Sequence, residues 1–205
     1  MEQLKSKARS TYFGVARFLF IPPPMLLRLT PDFAINTGVF RLDFRPGGST
    51  VGQLHRAGNH FTILLPLDFS FDKPEGILWA NRVVTRVLRN FARQYFPRLV
   101  QEYATYFDLR YNRVFVKDMI SRWGSCSSLG NINLSLWLLL APDHLLRYVV
   151  KHELAHLNEM NHGPRFWHEV DRLCGAPGEG KRLEREMKAF ARSLTPKILS
   201  RSHAD

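Results

Sequence analysis

Cysteine is scarce in this sequence, with two in 205 residues, and Cys126 and Cys174 form no CxxC pair. That excludes a disulfide framework and a four-cysteine zinc module. A reducing, cytoplasmic compartment fits this usage best. No apolar run approaches the roughly 18 to 20 residues that span a bilayer, so no transmembrane helix is expected. Between Lys5 and Ile21 positive charge precedes a short apolar run. No small-residue cleavage site follows, and the chain continues into Pro22-Pro23-Pro24, so the segment does not read as a signal peptide. A basic amphipathic segment lying on a membrane surface stays open. There is no internal repeat, and the Gly130 to Asn133 stretch fits neither GxxxxGK nor GxGxxG, so it reads as a turn into a strand rather than a phosphate-cradling loop.

Acidic residues are in the minority, 18 Asp and Glu against 29 Lys and Arg, for a formal net charge of +11. Such a field attracts polyanions, nucleic acid and nucleotides among them, but it does not choose between them. The basic residues are spread over four stretches from Lys5 to Arg192 with no dense tract, and a solvated basic surface is the plainer reading. With 45% hydrophobic and 23% charged residues the composition is that of an ordinary globular protein. Residues 1–35, punctuated by the triple proline, read as an N-terminal extension, 36–195 as a single domain and 196–205 as a C-terminal tail.

Val39 to Phe44 and Phe61 to Leu67 suit short strands. From about Glu75 to Tyr95 the apolar residues Val83, Val84, Val87, Leu88 and Phe91 recur at helical spacing, and a second helix is expected to restart at Pro97 and run to about Phe107. Val114 to Met119 reads as a strand. Ile132, Leu134, Leu136, Leu138 and Leu140 alternate with Asn131, Asn133, Ser135 and Trp137, the pattern of one half-buried strand. Pro142 then opens a helix expected to reach about Met160. The fold class is α+β, with a small mixed sheet packed on the helix that follows.

That helix carries His152-Glu153-Leu154-Ala155-His156, an HExxH pattern. Four residues are a little over one helical turn, so His152 and His156 share a side and both imidazoles can reach one ion. Glu153 lies about 100° around the axis, placed to approach a metal-bound water without being a ligand. The histidines share a face with Leu145 and Val149, so they should be partly buried, and buried paired imidazoles need partners. A catalytic zinc takes three protein ligands plus water. Asn161-His162-Gly163-Pro164 breaks the helix and can turn His162 back to the ion; a carboxylate from the next helix, Glu169 or Asp171, is the competing third ligand. His168 is expected to face solvent. Cys126 reads as a small buried thiol rather than a nucleophile. Tyr148 reads as a packed tyrosine, with help to an oxyanion as the alternative. His55, His60, His144 and His203 have no metal spacing. The chemistry implied is hydrolysis with one Zn2+ and Glu153 as general base.

Arg122-Trp123-Gly124-Ser125-Cys126-Ser127, then Gly130-Asn131-Ile132-Asn133-Leu134, then Tyr148 through Leu157 and Asn161 through Trp167 together resemble the YgjP-like metallopeptidase domain, related to SprT-like proteins. The resemblance covers about Val83 to Leu183. Ser135 stands where that family usually has a second asparagine. The resemblance implies a zincin-like fold, zinc on His152, His156 and His162, and Glu153 as catalytic acid and base. It implies a peptide or protein substrate, which could add as a strand along Asn131 to Leu139. The alternatives are a metal-dependent nucleoside triphosphate pyrophosphohydrolase and a nucleic-acid-associated protease, and a nucleic-acid-binding module with a structural zinc is a non-enzymatic third.

Overall fold

The structure is a computed structural model that describes residues 26–194, together with the backbone of 11–12 and 198–199. Apart from Thr11–Tyr12, the charged and apolar stretch from Lys5 to Ile21 lies outside the described residues, as do the triple proline and His203.

Strands β1 (Thr11–Tyr12), β2 (Leu26–Leu27), β3 (Ile35–Asn36), β4 (Arg41–Pro46), β5 (Gln53–Ala57) and β6 (His60–Leu65) precede the first helix. Five of them form a sheet in the order β1-β5-β6-β4-β3. Period-two patterning sets its inner face: Leu42 pairs with Phe61 and Phe44 with Ile63 across the parallel β4–β6 ladder, and all four side chains are buried. The expected strands are present within a few residues. β5 is additional and hairpins onto β6 through Gly58, whose φ of 63° suits a residue without a Cβ.

Helix α1 spans Pro74–Tyr106, 33 residues, with Pro97 inside it. The predicted break at Pro97 does not occur. Proline there removes the bond to the Arg93 carbonyl at a cost of about 3 kcal/mol. Phe96, Leu99 and Val100 on the flanking turns are at most 2% exposed, and burying each stabilises by about 1.5–3 kcal/mol. Continuity of the buried stripe outweighs the proline. Leu27 and Leu29, within the segment read as an extension, are buried, and the Asn81 side chain of α1 clasps Leu27. Its Oδ1 accepts from the Leu27 N–H at 2.7 Å and its Nδ2 donates to the Leu27 carbonyl at 3.2 Å.

Next come β7 (Arg113–Lys117), β8 (Gly124–Cys126) and β9 (Asn131–Ser135), a mixed sheet in the order β7-β9-β8. β9 runs parallel to β7 and antiparallel to β8. The alternation predicted to continue to Leu140 stops at Ser135, and Leu136–Leu140 form a 3-10 turn. Ser135 Oγ accepts from the Trp137 N–H and donates to the Met119 carbonyl. Trp137, set opposite the leucine face by alternation, is 1% exposed, and Leu139 beside it is 0% exposed. A segment buried all round has no strand period to keep. Because β9 is the central strand, a peptide cannot add along it, which corrects the edge expected at Asn131 to Leu139.

Helix α2 (Asp143–Ala155) lies under β8 and β9, followed by α3 (Pro164–Cys174), α4 (Glu179–Leu194) and β10 (Ile198–Leu199). α2 stops five residues short of the predicted end at Met160, with His156 as its C-cap. Backbone bonds from Leu157, Asn158 and Glu159 back to Leu154 and Ala155 close that end. β10 returns to pair with β2. Among the described residues, no helix is long and apolar enough to cross a membrane.

Candidate metal centre

His152 occupies the last turn of α2, and His156, with φ −65° and ψ −15°, still has helical geometry. The two imidazoles therefore keep the i, i+4 relation of an unbroken helix, with ring centroids 5.2 Å apart. The chain then reverses. The Gly163 N–H donates to the Asn161 carbonyl at 2.7 Å, and Pro164 starts α3 where its missing N–H leaves nothing unpaired. This turn returns His162, whose Nε2 lies 3.2 Å from His152 Nε2. One ligand atom from each of the three histidines falls within 4.8 Å of the others.

Side chains around the three rings fix their orientation. Phe166, fully buried on α3, stacks on His156 at 4.4 Å and meets His162 and His152 edge-on at 4.5 and 4.9 Å. His156 Nδ1–H donates to the Glu159 carbonyl at 3.1 Å, so its Nε2 keeps the lone pair. Tyr148 Oη stands 3.3 Å from His152 Nδ1 and serves the same purpose. Burial, and next the neighbouring His156 and His162, push His152 down to about 3. Burial likewise lowers His156, against the opposing bond to Glu159. Neutral imidazoles are what a metal requires. Tetrahedral zinc with Zn–N near 2.0–2.1 Å sets its nitrogens about 3.3 Å apart. The His152–His162 spacing matches that figure, so the residues present fit such an ion.

Glu153 is 5% exposed, and its Oε2 has no hydrogen-bond partner. Burial pushes its carboxyl up to about 8, opposed by the charge of Arg122. Its slot depends on Gly124 in β8: a Cβ there would stand 2.6 Å from Glu153 Oε1. Burial, with Glu153 adding to it, raises the Cys126 thiol to about 11, which removes it as a nucleophile.

The competing carboxylates are engaged elsewhere. Glu169 accepts from Arg172 and from Asn158 Nδ2, and Asp171 accepts from the Gly178 and Gly180 N–H groups. His168 is exposed, and His60 bonds to Asp43. Sequence reasoning missed three contributors. Phe166 and Gly124 entered only among the residues that carry the family resemblance, and Tyr148 also as packing or as an oxyanion donor. The i, i+4 spacing of Tyr148 and His152 was the available signal for the last.

Converged imidazoles beside a desolvated carboxylate, on a helix beneath a mixed sheet, define a metal-site hydrolase scaffold of the metallopeptidase class. A family model described as the YgjP-like metallopeptidase domain matches residues 67–189, more than half of the chain, and the protein belongs to that family. Two solved structures align with part of the chain. The crystal structure of the metallopeptidase zymogen of Pyrococcus abyssi abylysin aligns at 24% identity over 46% of this chain and 92% of that one, with a TM-score of 0.41. The zymogen of Methanocaldococcus jannaschii jannalysin aligns at 21% identity over 46% and 94%, with a TM-score of 0.40. No curated protein matches the chain.

Proposed function

We propose that this protein is a zinc peptidase in which His152, His156 and His162 hold one ion and Glu153 moves the proton. The observation that carries this reading is the meeting of three imidazoles with a buried carboxylate that retains an unpartnered oxygen. When bound, the ion supplies a Lewis acid that polarises the scissile carbonyl and acidifies water. Glu153 takes the proton from the attacking water at Oε2 and returns it to the departing amine nitrogen as the C–N bond breaks. Tyr148 and the Glu159 carbonyl hold the His152 and His156 rings in place, and Phe166 closes the site from below. An extended polypeptide adds along β8, which pairs with β9 on one side only, and Gly124 lets that strand run close over Glu153. Residues 36–195 carry this chemistry in our reading, and the two free cysteines fit a cytoplasmic setting. No observation favours the nucleotide-hydrolase or nucleic-acid alternatives over it.

The test pairs elemental analysis with proteolysis. Wild type should carry about one zinc per chain and cut unfolded casein in a reaction that chelator stops and zinc restores. His162→Ala should lose both properties. Zinc retained by His162→Ala would remove the third ligand, and chelator-resistant cleavage would remove the mechanism.

A further inference from the structure

Beside His156 lies a recess of about 400 Å3. It is bounded by the tip of the β8–β9 hairpin and by the chain that leaves α2. Its size falls within the range of ligand-binding pockets. Leu129 at the hairpin tip is 75% exposed and Met160 is 46% exposed. Single exposed apolar residues are unremarkable. Here two of them converge on one recess whose walls also include Leu157 and Tyr111.

The walls are held in place. The Gly130 N–H donates to the Ser127 carbonyl and the Gly130 carbonyl accepts from the Asn112 N–H, both at 2.8 Å. A Cβ on Gly130 would stand 3.6 Å from Leu157 Cδ2, so the tip packs directly on that wall. On the opposite wall, the bond from His156 Nδ1 to the Glu159 carbonyl fixes the residue before Met160. Arg110, Asn112, Ser127 and Ser128 also border the recess; Arg110 is exposed, and a solvated, screened charge contributes little beside Leu129, Met160, Leu157 and Tyr111.

We propose that this recess is a specificity subsite that takes a long apolar side chain, Leu, Met or Phe, from the substrate polypeptide next to the scissile bond. The inference rests on the peptidase reading above. It adds the chemistry of the residue selected. His156 belongs to both the recess and the candidate metal centre, so an occupant of the one lies against the other. Removing apolar contact of one or two carbons from such a pocket changes selectivity by about tenfold or more.

Two measurements test this. Zinc-loaded Glu153→Gln, which binds without cutting, is labelled at its methionine methyls and titrated with capped pentapeptides bearing Leu, Gly or Asp at the centre. The Met160 methyl, assigned through Met160→Gln, should shift with the Leu peptide and not with the other two. In parallel, wild type should prefer Leu, Met or Phe at one position beside the cleaved bond. Leu129→Asp should reduce the ratio of Leu-peptide to Gly-peptide cleavage about tenfold. Equal shifts from all three peptides, an Asp preference directed by Arg110, or an unaltered preference in Leu129→Asp would overturn the subsite. Binding of the Leu peptide without any cleavage by wild type would instead overturn the peptidase reading, and with it the placing beside a scissile bond, and leave only a recess that binds an apolar side chain.

Discussion

Asn81 in α1 and Glu153 in α2 are both buried polar side chains, 0% and 5% exposed, yet they differ in what surrounds them. Asn81 bonds to both backbone groups of Leu27 and to the Ile77 carbonyl. Its polar atoms are satisfied by protein, the normal condition of buried polar groups, and the result is a fixed junction between a strand and a helix. Glu153 keeps Oε2 without a partner. Asp43 Oδ1 and Thr85 Oγ1 are also unpartnered, but Glu153 alone of the three sits next to a converged imidazole. Full satisfaction marks a joint, and an unmet oxygen at such a place is what the proposed proton transfer requires.

The largest expected effect separates the two residues by activity. Glu153→Gln should retain zinc while turnover falls by about 10²–10⁴-fold, read from steady-state peptide cleavage at matched metal content. The same variant carries a pH signature in chelated protein. The Glu153 carboxyl moves from 4.5 to about 8 in the fold, so the folded chain binds more protons than the unfolded one between those values and its stability falls as pH rises through them. Glutamine has no such dependence. Denaturation curves of the two chelated proteins should coincide near pH 4.5, then separate with the glutamine variant more stable up to pH 8. Coincident curves throughout would mean that the carboxyl is solvated.

Asn81→Leu should act in the opposite way. It leaves the Leu27 N–H and carbonyl unpaired in the core, which costs about 3 kcal/mol and lowers Tm. Activity per folded, zinc-loaded molecule should be unchanged, and a fallen kcat would join the two regions that this comparison keeps apart. The smallest effect is expected from Tyr148→Phe. Removing the hydroxyl near His152 Nδ1 should weaken zinc binding about tenfold, measured by competition with a chromogenic chelator. Equal affinity would reduce Tyr148 to a packing residue.

The site was legible in the sequence to the degree that it is local. His152, Glu153 and His156 follow from helical spacing, and the return of His162 follows from the stop signal at Asn161–Pro164. The fold's errors arise where distant packing decides. Pro97 reads as a break until the buried stripe on both sides of it is counted. Leu136 to Leu140 read as a strand because alternation was assigned without knowing that Trp137 finds Asp118 for its indole N–H. The end of α2 moved because His156 is held by Glu159 rather than by a further helical turn. β5 carries mostly exposed side chains, Gln53 through Ala57, with no apolar face for a pattern to register. Phe166 and Gly124 were beyond reach because their partners lie 4 to 14 residues and a whole sheet away.

The short pairing of β2 with β10 has a mechanical consequence. Leu26 stands opposite Leu199 and Leu27 opposite Ile198, so Leu26 and Leu199 share one end of this ladder. A load applied across Leu26 and Leu199 opens it like a zip rather than shearing it. The Asn81 clasp on Leu27 is the next point to bear tension. Force across this ladder is therefore taken up at β2 and the long helix before it reaches the three histidines.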